Sequence, residues 1–167
     1  FNKIAFGLES EESKVDADNS TIDGSFLLYE FKPNNKIIIS SGIRNDDHEG
    51  FGSKTTRRIS GTFKPFDNLI IRSSWGEGFK VPTIFQSTYF CCGATSANSA
   101  IRPETSTSYD FGFELFFNEM KSNLSITYFD QDINDQINFS FGLGGYENID
   151  KVNSKGFEIA LDYQITK

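Results

Sequence analysis

The stretch from Ile101 to Phe117 limits what this chain can fold into more than any other. Pro103 has no backbone N–H to donate and disfavours helix at Arg102, so no helix runs through this entry. Beyond it the sequence alternates. Tyr109, Phe111, Phe113, Leu115 and Phe117 fall on one face, and Asp110, Gly112, Glu114 and Phe116 on the other. A period of two is that of a β-strand with one greasy side and one mainly polar side.

The pattern recurs along the chain. Ile4, Phe6 and Leu8 alternate with Lys3, Ala5 and Gly7, and an acidic run from Glu9 to Asp23 reads as a long link. Ser25, Leu27, Tyr29 and Phe31 share a face up to the turn at Pro33-Asn34-Asn35, whose residues fix or tolerate turn angles. Third, fourth and fifth strands are predicted over 36–46, 54–64 and 69–76, separated by the glycine-bearing loop 47–53 and the turn 65–68. The longest interruption, Glu77 to Thr105, precedes the sixth strand, and irregular segments of that length are usually functional. After a short connection at 118–123, a seventh strand is predicted to bend near 130–136 and resume to Phe141. Gly142, Gly144 and Gly145 then mark a mobile tip, and an eighth strand starts near Ser154.

Composition narrows the classes. The longest aliphatic runs, Ile37–Ile39 and Leu69–Ile71, fall far short of the roughly 20 residues that a membrane helix needs. A net charge of −7 argues against a nucleic-acid partner, which would call for a basic footprint. Aromatics make up 15% of the chain, mostly Phe, a number that a water-soluble core could hold and so could a barrel greasy outside and wet inside. Cys91 and Cys92 are adjacent and match no zinc or redox spacing; they read as loop residues, the alternatives being a vicinal disulfide or a bond to an absent partner.

Two patterns favour a membrane barrel. Links after the first, third, fifth and seventh strands read as long and the others as tight, which puts all long links on one side of an up-and-down sheet, as in outer-membrane barrels. On the greasy faces, Trp75, Tyr109, Tyr128 and Phe157 lie towards the long-link ends, whereas Phe31, Phe63, Phe117 and Tyr163 lie towards the tight-turn ends. Two such belts flanking aliphatic residues fit a lipid-facing wall. The opposite faces carry Lys3, Glu30, Arg44, Arg58, Arg72, Asp110, Glu114, Glu158 and Asp162, which would then face a hydrated lumen.

Several segments in order resemble landmarks of TonB-dependent outer-membrane receptors. They are Ser41-Gly42-Ile43-Arg44-Asn45-Asp46-Asp47, the segment from Ser74-Trp75-Gly76-Glu77-Gly78 to Thr83, the Arg102-Pro103-Glu104-Thr105-Ser106 opening, Tyr128 to Ile137, Tyr146-Glu147-Asn148 and Lys155-Gly156-Phe157-Glu158. The likeness is strongest to the cobalamin receptor and its siderophore-receptor relatives. It implies an all-β, antiparallel, up-and-down transmembrane barrel of about 22 strands, of which about eight are present, closed by an N-terminal plug and importing a scarce nutrient. It also implies residence in the outer membrane, contact with outer-membrane lipid, and a TonB energy-coupling partner engaged through an N-terminal region that this sequence lacks. Phe1 in place of an initiator Met, no signal-peptide pattern before Asn19, no plug and a final Lys167 lead to the expectation that residues 1–167 are one part of such a barrel domain.

The candidate ligand contacts are Phe85, Gln86, Tyr89 and Phe90 in the long interruption, as stacking and hydrogen-bonding groups for a small nutrient of the cobalamin or ferric siderophore class. The competing structural role for them is packing the loop against its neighbours. No metal site is expected: Asp130 to Asp135 begins like a calcium loop, but Asp135 and Phe141 stand where Gly and Glu are needed. Asp46-Asp47-His48-Glu49 reads as a solvated acidic edge rather than a cation site. No cofactor follows from the sequence. No catalytic residue is expected either, since Asp110 and Glu114 would stand ~13 Å apart on one strand and His48 has no nucleophile at a recognised spacing. Two alternatives come from other classes: a complete eight-stranded outer-membrane barrel with a structural or adhesin role, and a secreted carbohydrate-binding β-sandwich whose Phe-rich faces pack together in water.

Overall fold

A computed structural model describes residues 2–16, 18–117 and 122–164. Eight strands form one antiparallel sheet in the order of the chain: β1 (Asn2–Val15), β2 (Asp18–Asn34), β3 (Ile37–His48), β4 (Gly52–Phe66), β5 (Leu69–Lys80), β6 (Glu104–Phe117), β7 (Ser122–Ser140) and β8 (Gly145–Tyr163). One short helix, α1 (Ile84–Thr88), interrupts the segment between β5 and β6.

The register bears out the two faces residue by residue. Ile71 pairs with Phe63 and Phe113, Phe113 with Ile126, and Ile126 with Ile159, so one apolar row crosses five strands. Directly opposed residues project to the same side of a sheet, and every residue of this row is therefore on the greasy face. Along its outer margin the rings of Tyr109 and Tyr128 lie 5.6 Å apart and those of Tyr128 and Phe157 5.1 Å apart, with Trp75 opposite Tyr109. This is a continuous aromatic belt.

Ile101, Ile137 and Pro82 are the only buried apolar side chains among the described residues, whereas Phe6, Phe111, Ile159 and Leu161 are exposed. A single sheet with an uncovered greasy face is not a sandwich, and that alternative is discarded. No pairing joins β1 to β8 among the described residues, so the sheet does not close as an eight-stranded barrel.

The links differ from expectation. The acidic run after Glu9 is strand, paired from Glu9↔Gly24 to Val15↔Asp18, and the supposed mobile tip after β7 is a four-residue turn from Phe141 to Gly144. The asymmetry resides in strand length instead. β7 and β8 each run 19 residues, well beyond the roughly 9–11 that cross a membrane. Their hairpin stands above the belt as an overhang, and β7 has its irregularity where a bend was expected: the pairing skips Asp135, which is turned into the left-handed region (φ 55°), and resumes at Gln136. The expected connection at 118–123 falls mostly outside the described residues.

Candidate functional site

Sequence locally builds a cap at the overhang end. The long interruption shortens to 81–103 because β5 continues to Lys80 and β6 begins at Glu104. Thr83 N-caps α1: its hydroxyl accepts the Gln86 N–H at 3.1 Å, and the Gln86 side-chain oxygen accepts the Thr83 N–H at 3.0 Å. This reciprocal capping box satisfies two otherwise orphaned helix donors. The Thr-x-x-Gln spacing was legible in the sequence.

The helix presents its rings to the β7–β8 overhang. Phe85 and Tyr89 stack with centroids 4.7 Å apart, and Tyr146 lies 6.1 Å from Phe85 and 6.5 Å from Tyr89. Phe139 joins from β7, 5.5 Å from Tyr146 and 5.0 Å from Phe141. Tilted and edge-on ring contacts of this kind add to simple burial. The rest of the patch faces outward: Phe85, Phe90, Phe141 and Leu143 are 51%, 48%, 81% and 53% exposed.

Backbone groups then bolt the cap down. Phe90 makes a β-bridge to Gly145, and the Cys91 N–H donates to the Gly144 carbonyl at 2.7 Å. Gly144 (φ 63°) passes so close that a Cβ there would strike the Cys91 carbonyl oxygen. Cys91 and Cys92 are joined as a vicinal disulfide within this turn, which resolves the open reading of the two residues. Further along, Asn98 donates to the Tyr146 carbonyl at 3.0 Å, and Arg102 meets Asp135 at 2.6 Å. That contact raises the Arg102 pKa above its ordinary value, first through the hydrogen bond from its guanidinium to Asp135 and then through their charge attraction. Glu104 accepts the Ile137 N–H at 2.8 Å and pairs with Lys80 at 3.1 Å. Ile101 and Ile137 are buried at this seam.

Of the four candidate contacts, the structure brings Phe85 and Tyr89 together in one cluster. Gln86 is committed to the helix cap, and Phe90 stands exposed beside the disulfide. Phe139, Phe141 and Tyr146 were absent from the candidates because they come from the β7–β8 hairpin, more than 40 residues further on; the Tyr-Glu-Asn landmark was the one local signal.

The outer part of the polar face carries two hydrogen-bonded clusters, around Arg44 and around His48. Arg44 chelates Asp46 and also meets Glu9 at 2.7 Å. His48, expected to be solvated, is buried: its Nδ1 accepts the Gly50 N–H at 2.9 Å, and its Nε2, left to carry the proton, donates to Ser20 Oγ at 2.8 Å. Ser20 reaches it from β2, which extends this far because the acidic run is paired strand rather than loop, and the Phe51 ring lies 5.1 Å away. Lower down, Lys3 pairs with Glu30 and Arg72 with Glu114. No group of three or more His, Cys, Asp or Glu residues is placed to hold a metal among the described residues.

Residues 5–166 match the family model described as TonB dependent receptor-like, beta-barrel. The chain is 30% identical over 151 residues to the vitamin B12 transporter BtuB of Vibrio vulnificus, covering 88% of this chain and 23% of that protein. It is 28% identical over 127 residues to the Vibrio cholerae BtuB, covering 75% and 20%. Among solved structures it superposes on the siderophore receptor PirA of Pseudomonas aeruginosa with a TM-score of 0.77 at 20% identity, covering 85% of this chain and 28% of that one. The chain thus spans roughly a quarter of the length of these relatives.

Proposed function

This chain belongs to the TonB-dependent receptor β-barrel family, and from that premise we propose that residues 1–167 form part of the barrel domain of an outer-membrane transporter for a scarce nutrient of the cobalamin or ferric siderophore class. The greasy face meets outer-membrane lipid and the polar face lines the lumen. The 81–103 cap and the β7–β8 overhang capture the ligand outside the cell, and energy comes from TonB through a plug that the rest of the polypeptide supplies. The protein acts by binding and translocation, with no chemistry performed on the ligand.

The observation that carries this reading is the exposed aromatic patch on an ordered cap beyond the belt. Apolar rings that far from lipid and this exposed mark an interaction site rather than a wall. Phe85, Tyr89 and Phe90 are its stacking groups; Gln86 serves by holding the helix that displays them.

The test is genetic and direct. In a host deleted for the whole receptor gene, uptake of radiolabelled cyanocobalamin and of a ferric chelate is measured with and without the restored gene, in TonB-positive and TonB-negative backgrounds. Uptake of one nutrient that needs both genes is the expected result. Unchanged uptake of both would refute the transport reading.

A further inference from the structure

Residues 81–101 carry no acidic or basic side chain, in a chain whose net charge is −7. Within this neutral segment the Cys91–Cys92 disulfide closes a small ring through a single peptide bond. Cys92 is exposed and Cys91 half-buried, so solvent reaches the ring from the Cys92 side. An anionic nucleophile arriving there meets no carboxylate of the cap's own segment.

The ring sits at the corner of a turn. The Ala94 N–H donates to the Cys91 carbonyl at 3.0 Å, and both residues between them have positive φ, 58° at Cys92 and 99° at Gly93. Turns of that kind favour Gly, Asn or Asp at their centre. Cys92 is none of these, and a side chain with a Cβ keeps this conformation only where its surroundings impose it. The ring is the covalent constraint that does so. The turn it holds is the part of the cap seated on the β7–β8 hairpin, through the Cys91 N–H on the Gly144 carbonyl, the Phe90 bridge to Gly145, and the Cys91 carbonyl resting where Gly144 lacks a Cβ.

We infer that Cys91–Cys92 is a thiol-exchange site for small-molecule thiols, and that opening it unlatches the cap turn from the hairpin. The incoming thiolate attacks Cys92 Sγ and bonds to it; the bond to Cys91 Sγ breaks, and Cys91 leaves as a thiolate that takes a proton from water. One disulfide is consumed and one is formed, so no further oxidant or reductant enters. The product is a mixed disulfide on Cys92, a reversible modification that the Cys91 thiolate expels when it re-forms the ring. While the ring is open, Cys92 is free to leave the positive-φ region, the turn loses its Ala94 hydrogen bond, and residues 89–97 lose their seat on Gly144. Asn98 on the Tyr146 carbonyl and Arg102 on Asp135 keep the far end of the cap in place. In oxidising surroundings the closed ring is the resting form.

The experiment uses the intact receptor in detergent, as wild type and as C91A/C92A, incubated with reduced glutathione, quenched with acid and mapped by mass spectrometry. Hydrogen exchange is followed in parallel over 89–97 and at Phe113. Expected in wild type are glutathione on Cys92, several-fold faster exchange over 89–97, no change at Phe113, and recovered protection once the glutathione is dialysed away. C91A/C92A should exchange quickly over 89–97 with or without glutathione. No adduct on either cysteine of the folded protein would overturn the exchange site. An adduct that leaves 89–97 as protected as before would overturn the latch, as would protection in C91A/C92A equal to that of untreated wild type. None of these measurements involves uptake, so the transport reading and this one can fail separately.

Discussion

Arg102 and Asn148 exchange two hydrogen bonds: the Arg102 N–H donates to Asn148 Oδ1 at 2.8 Å, and Asn148 Nδ2 donates back to the Arg102 carbonyl at 2.8 Å. The same amide also reaches the Asp135 carbonyl at 2.7 Å, so one side chain ties the end of the cap to both strands of the overhang. Asn148→Ala should release the cap locally by about 1–3 kcal/mol without unfolding the sheet. Hydrogen exchange should quicken at Arg102 and stay unchanged at Phe113; equal protection at Arg102 in both proteins would show that the latch lies elsewhere.

Gly144 is the seat on which the Cys91 turn rests. Gly144→Val adds a β-branched side chain at positive φ and drives it into the Cys91 carbonyl, costing more than the roughly 1 kcal/mol typical of losing a glycine at such an angle. Limited proteolysis should then cut within 89–99 several-fold faster than in wild type, while the sheet resists.

On the greasy face, Ile126 sits midway between the belts, and the adjacent Ser125 points to the polar side opposite Glu114. Ile126→Arg should cost about 2–4 kcal/mol of insertion into lipid, whereas Ser125→Arg should cost little and gain a carboxylate neighbour. Urea titrations of the full receptor folded into vesicles would read the difference. Equal destabilisation by the two would reverse or erase the assignment of faces.

Asp132 stands two pairs beyond the belt, where Asn153 donates to it at 2.9 Å and Lys151 lies 3.1 Å away. The hydrogen bond from Asn153, then that from Lys151, holds its carboxyl below the usual range. Because the folded value is depressed, its contribution to β7–β8 pairing is complete above the unfolded value of about 3.9 and is lost only as pH falls through the lower folded value. The carboxyl ¹³C shift should therefore titrate below that of a model aspartate, and Asn153→Ala should move it back up.

Where water lay on one side only, the sequence was readable. Ile71, Phe113, Ile126 and Ile159 alternate with polar neighbours because one side of the wall is greasy and the other wet, and the register confirmed each of them. The overhangs were opaque for the converse reason. From Glu9 to Asp23 both faces meet water, the period of two disappears, and a paired hairpin looks like an acidic loop. The Thr83–Gln86 capping box is local and was available to sequence reasoning. The burial of His48 was not, since Ser20 reaches it only through the β2–β3 pairing.

Local alternation by itself determined the order of the strands, their two faces and the belt, because those depend on residues two apart meeting the same solvent. Tertiary structure alone decided that Phe85 and Tyr89 share a cluster with Phe139 and Tyr146 and that Asn148 latches Arg102. Both depend on strand pairing, which brings residues 40 or more positions apart in the chain within hydrogen-bonding or stacking distance.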